Sequence, residues 1–156
     1  MPSEEKIRSR MAALADILDY DHRSLTHLSK AMYCKRERAG DYTNDAMATL
    51  GDAVLKLVWS EHFFDMGLDK DEISKRKAPL ECNATLKALC DKVGIYAFAY
   101  NDSYFADEAP KTKRLPYGNH DFYLEAIIAA IYRDRGLEYA REWILKFWKK
   151  HADAVQ

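Results

Sequence analysis

An all-α fold is predicted by three observations. Apolar residues recur at helical spacing along most of the chain, no stretch sustains the alternation of a half-buried strand, and glycines and prolines punctuate the periodic segments. The 156 residues, 48% hydrophobic and 12% aromatic, are enough for one compact domain with a substantial core. We expect a single domain over 1–156 with no internal repeat.

Taken in order, "SEEKIRSRMAALADIL" carries Ile7, Met11, Leu14 and Leu18 at helical spacing and gives the first helix, although Lys6 stands where a capping box would need Glu. "SLTHLSKAMYC" gives a shorter second helix started by Ser24, and the polar "KRERAGDYT" reads as a loop containing Gly40. The long helix "NDAMATLGDAVLKLVWSEHFF", residues 44 to 64, follows, with Thr43 or Asn44 as its cap. "DKDEISKRKAPLECNATLKALCDKVG" is helical material interrupted around Pro79 and ended by Gly94. The stretch "YNDSYFADEAPKTKRLPYGN" has two prolines and no period, so it reads as a loop. Two more helices, "HDFYLEAIIAAIYRD" and "GLEYAREWILKFWKKH", are separated at Gly136. In the last of these, Trp143, Phe147 and Trp148 read as packing residues.

Composition narrows the setting. Cys34, Cys82 and Cys90 form neither a CxxC pair nor a Cys/His cluster, which suits reduced thiols and argues against a zinc site or a disulfide framework. The charged N-terminus is unlike a signal peptide, and no apolar run approaches the roughly 18 residues of a membrane span. A cytoplasmic protein without a membrane partner is expected. The formal net charge of −1 supplies no overall attraction to nucleic acid, so any such binding must rest on local patches.

The polar exceptions in core helices carry the chemistry. Asp45 and Asp52 are seven residues apart, which places them within about 20° on the helix surface and roughly 10 Å apart along its axis. Asp45 is also a residue type that the dipole favours in a first turn, whereas Asp52 sits mid-helix after Gly51, where another backbone or a ligand can come close. Asp121 and Glu125, at i and i+4, open a helix that is then almost wholly apolar. A carboxylate on such a helix needs water, a cation or a metal, and hard Mg2+ or Mn2+ prefers several carboxylates plus water. The two acid pairs are therefore read as a divalent-cation site.

Three stretches carry a family resemblance. "TNDAMATLGDAVLKLVWSEHFF" resembles the signature helix of the ribonuclease III catalytic domain, which reads close to NERLEFLGDAVL. "ISKRKAPLECNATLKALCDKVGI" is similar to the segment that follows it, and "YLEAIIAAIYRDRGLEYAREWI" to the family's DxxEAxxGAxYLDxGL stretch. "LSKAMYCKR" stands, more loosely, where the family has ALTHRS. The resemblance covers roughly residues 25 to 147 in the family's order.

It implies a helical endonuclease domain that dimerises and cuts double-stranded RNA, with four carboxylates holding Mg2+, or Mn2+, to leave 5′-phosphate and 3′-hydroxyl ends. Asp52 matches the signature Asp and Glu125 the DxxE Glu, so these two are the expected catalytic residues. Ala48 and Phe122 stand where the family has its other two carboxylates. Asp121, one residue early, is then a replacement ligand, and Asp45 a more distant, water-mediated one. Lys75, Arg76 and Lys77, and Lys111, Lys113 and Arg114 near the second acid pair, are the expected RNA contacts. No double-stranded-RNA-binding domain is expected after Gln156, which leaves substrate grip to the dimer or to a partner protein. The expected function is a metal-dependent ribonuclease, because the acids that remain are the central pair; the alternative, near parity, is a degenerate member that binds RNA or a protein without cutting. A metal-dependent phosphohydrolase of another kind is a distant third.

Overall fold

The computed structural model describes residues 1–38, 41–117 and 123–154. Among these lie seven α-helices: α1 Glu4–Ile17, α2 Thr26–Met32, α3 Asp45–Asp65, α4 Lys70–Glu81, α5 Asn83–Val93, α6 Tyr123–Arg135 and α7 Leu137–Lys150. One short antiparallel hairpin, β1 Arg36–Arg38 with β2 Asp41–Tyr42, lies inside the segment expected to be loop. Its strands are brief and irregular in register, so no period betrays them in the sequence. Thr43 Oγ1 anchors the hairpin by donating to Tyr33 O at 2.8 Å and accepting from Lys35 N at 2.9 Å.

Helix boundaries follow local chemistry. Ser3 caps α1 by accepting from Lys6 N at 3.1 Å, and Asp69 caps α4 by accepting from Glu72 N at 2.9 Å. The break expected at Pro79 falls at Cys82 instead, because α4 runs through the proline for one more half-turn. The carbonyl of Pro79 is then taken up by the Thr85 hydroxyl from the first turn of α5. Gly94 closes α5 in the left-handed conformation, at φ 79°, which a side chain would strain.

The core is built around α6. Every residue from Tyr123 to Ile131 is buried, so over this stretch the helix is apolar on all sides apart from Glu125. Its largest contact is with α3, and α2 packs on it as well. Close approach is possible because the facing residues are small: Ala31 from α2, Ala48 from α3, and Ala126 and Ala130 from α6 form one cluster. Gly51 completes it. A Cβ at this position would lie 1.6 Å from the Glu125 carbonyl oxygen and 3.2 Å from Ala129 N. Trp143 of α7 fills the other flank, its Nε1 donating to Leu18 O at 2.9 Å. Among the described residues no helix is long and apolar enough to cross a membrane.

Candidate functional site

The contact at Gly51 decides where the acids go. Because α3 lies against the backbone of Glu125, Asp52 on the next position comes to the same helix crossing although 73 positions separate the two acids. The backbones at Asp52 and Glu125 therefore come together at this crossing. Glu125 is 6% exposed, a buried carboxylate on the central helix, whereas Asp52 is partly open to solvent.

Other acids are placed differently. Asp45 turns its carboxylate back on the hairpin, where Oδ2 accepts from Tyr42 N at 2.8 Å, so it secures the entry to α3. Asp121 and Phe122 lie outside the described residues. Ala48 is buried in the small-residue cluster.

One residue that the sequence motifs do not single out joins the site. Glu81, in the last turn of α4, is 10% exposed; its Oε1 pairs with Lys77 at 3.1 Å, and its Oε2 is buried with no hydrogen-bond partner. Its one sequence signal is the i, i+4 relation to Lys77. Lys56 supplies positive charge beside these acids. Its ammonium donates to Asp52 Oδ2 at 2.7 Å. That hydrogen bond holds the ammonium above the usual lysine range, and although partial burial opposes it, the fields of Asp52, Glu81 and Glu125 add in the same direction.

Among the described residues the donors do not by themselves make up a divalent-cation site. Position 48 offers no oxygen, Asp45 is committed to Tyr42, and Asp52 already carries a cation. Among the described residues no group of three or more His, Cys, Asp or Glu side chains could hold a metal ion.

The basic residues divide as well. Lys75 and Arg76 are exposed on the outer face of α4, with Arg76 at 3.6 Å from Glu72. Lys77 is half-buried and spent on Ser60 Oγ and Glu81 Oε1, each at 3.1 Å. Lys111, Lys113 and Arg114 are exposed on a segment held by two tyrosines: Tyr104 donates to Lys113 O at 2.8 Å and Tyr96 to Leu115 O at 2.9 Å. A groove of about 680 Å³ lies elsewhere, between α1 and residues 22–30, and includes no residue of the acid site.

Comparison with known proteins places this geometry. Residues 21–151 match the family model described as Ribonuclease-III-like. The chain is 31% identical over 147 residues to Ribonuclease 3 of Ehrlichia ruminantium (strain Gardel), covering 90% of this chain and 63% of that protein. It is 32% identical over 132 residues to Ribonuclease 3 of Allorhizobium ampelinum, covering 83% of this chain and 52% of the relative. The chain thus spans between about half and two thirds of the curated relatives it matches. Among solved structures, it superposes on the nuclease domain of ribonuclease III from Campylobacter jejuni with a TM-score of 0.69 at 27% identity, covering 88% of this chain and 94% of that one. That structure is described for flexibility in a region involved in dimer formation.

Proposed function

Since this chain belongs to the ribonuclease-III-like family, we propose that it acts on double-stranded or structured RNA in RNA processing, and that its α3/α6 site engages RNA without hydrolysing it through a metal. The observation that carries this reading is the Asp52–Lys56 ion pair. The sealed Ala48 completes it: one expected ligand position is now packing, and the acid that persists already has a counter-ion. Affinity then rests on the exposed cations of α4 and of the 111–114 segment, which suit the phosphates of an A-form duplex read by shape.

Hydrolysis dependent on Mg2+ or Mn2+, leaving 5′-phosphate and 3′-hydroxyl ends, is the second reading. The close approach of α3 to the Glu125 backbone at Gly51, next to Asp52, favours it. Incubation of the chain with long duplex RNA and either metal separates the two. Binding without products supports the first reading, and 5′-phosphate products overturn it. Lys75→Ala with Arg76→Ala should weaken binding evenly across sequences and reduce the salt dependence by about one unit of slope for each phosphate no longer neutralised.

The assembly in this reading is a homodimer. Leu50, Leu57 and Phe64 recur every seventh residue along α3 and are all exposed, a stripe suited to a second copy. Three free cysteines, with Cys34 and Cys90 buried, suit the reducing cytoplasm this reading assigns.

A further inference from the structure

The groove between α1 and residues 22–30 takes no part in the acid site, and its volume of about 680 Å³ falls within the roughly 300–1,000 Å³ of cavities that hold small molecules. Its lining is mixed. Fully buried Met11 and half-buried Ile7 and Leu25 supply apolar surface, and three exposed cations share the groove with them: Arg8 from α1, Arg23 from the connection and Lys30 from α2. Glu4 is the one carboxylate in the lining, so three cations against one acid leave two positive charges in excess.

These cations are unspent. Among the described residues Arg8, Arg23 and Lys30 have no ion pair, side-chain hydrogen bond or ring contact, and Glu4, one helical turn from Arg8, is not paired with it. Asp134 is the acid bonded to this wall, and its carboxylate is taken up by the Tyr20 hydroxyl, by Arg23 N at 2.9 Å and by Ser24 N at 3.1 Å. Arg135 donates to Asp21 O, and Asp21 N donates to the Tyr139 hydroxyl at 2.9 Å. The backbone of 21–24 is thus fixed by α6 and α7, and a wall held in advance costs a ligand less ordering. The hydroxyls in the groove are already engaged, Ser24 with Thr26 at 3.1 Å and Ser29 with Tyr100 at 2.7 Å. Recognition therefore falls to the cations.

We propose that this groove binds a nucleotide by its terminal phosphate monoester, either free or at the 5′ end of an RNA strand. A phosphate monoester carries about −1.5 to −2 at pH 7, which matches the excess charge of the lining. Planar guanidinium groups such as those of Arg8 and Arg23 suit phosphate oxygens taken two at a time, and Lys30 adds a point charge. The groove is far larger than a phosphate needs, and its apolar part gives the face of a base a place to lie. The site stands apart from the α3/α6 acids, so it is independent of whether those acids cut.

The test is titration calorimetry of the full chain with AMP, adenosine and inorganic phosphate, each at physiological salt. One AMP should bind per chain, and adenosine and phosphate alone should each bind about tenfold more weakly or worse, since each lacks half of the contacts. Arg8→Gln and Arg23→Gln should each weaken AMP binding about tenfold or more, while Lys70→Gln, an exposed cation outside the groove, leaves it unchanged. No binding of AMP overturns the proposal, as does AMP binding no tighter than phosphate. A loss in Lys70→Gln equal to that in the groove variants also overturns it, because the attraction would then be one of general charge. Melting of each variant checks its fold, and Lys30→Gln carries the same measurement should Arg23→Gln fail to fold. Competition against bound AMP by one short single-stranded RNA, with and without a 5′ phosphate, separates the two sources. Displacement by the phosphorylated form alone assigns the groove to an RNA end, and displacement by neither assigns it to the free nucleotide. Cleavage of duplex RNA by the natural chain would defeat the non-hydrolysing reading and leave this one standing.

Discussion

At position 48 an alanine methyl fits where a carboxylate does not. Ala48 is 8% exposed and packs against Ala31, Ala126 and Ala130, so Ala48→Glu must push three small side chains apart as well as bring in a charge. We expect it to lower unfolding stability by about 1–3 kcal/mol in urea titration. Helical spacing alone would suggest only the few tenths of a kcal/mol of like-charge repulsion along one face. Mg2+ should raise its melting temperature no more than it raises that of the natural chain. Asp134 is a second residue whose role is tertiary. Burial alone would raise its pKa, but the Tyr20 hydroxyl and the backbone N–H groups of Arg23 and Ser24 hold it below the usual carboxylate range. Its folded pKa is depressed, so its contribution is fully present above the unfolded value near about 4 and is lost as pH falls through the lower folded value. Asp134→Asn should cost about 1–3 kcal/mol at pH 7. The difference from the natural chain in urea unfolding should shrink as the pH is taken below about 4. Neither role is visible in the sequence, because the partners of Asp134 lie 110 or more positions away and those of Ala48 are on other helices.

Among the elements, the α3–α6 pair sets the geometry of everything at the site. Gly51 permits it: a methyl at 1.6 Å from the Glu125 carbonyl oxygen meets backbone, which cannot swing aside as a side chain can. Gly51→Ala should therefore force the two helices apart and cost about 3 kcal/mol or more, with loss of cooperative unfolding as the limiting result. Thermal and urea unfolding followed by circular dichroism would check this. In the sequence Gly51 is legible as a place of close approach, since a glycine mid-helix is otherwise a cost. What approaches it is not. The helices themselves were readable because each is specified locally, by apolar residues at i, i+3 and i+4 and by Ser3, Asp69 and Gly94 at their ends. The hairpin at 36–42 escaped because its strands are two or three residues long and largely exposed, which leaves no period to read.

For the whole molecule, the apolar excess of α3 resolves into two sets. Val58, Trp59 and Phe63 are buried in the protomer's own core, so they are not the surface that a dimer would use. Leu57 at 47% exposure and Phe64 at 70% remain outside it, with Leu50 and Met66. Leu57→Glu with Phe64→Glu should give a monomer by light scattering at micromolar concentration while the helical spectrum is unchanged, because surface substitutions cost within about 0.5 kcal/mol. A natural chain that is already monomeric there would remove the stripe as an interface. Sequence by itself determined the all-α class, the family, the order of helices and the presence of acids on two core helices, since each of these is written in residue types and spacings within a few turns. Tertiary structure alone decided that α3 meets α6 at Gly51, that one oxygen of Glu81 is buried at the end of α4, that Lys56 pairs with Asp52, and that Ala48 is sealed. Helical periodicity says which residues share a face. Which faces meet is set by the fit of small side chains across helices, and that fit depends on residues distant in the chain.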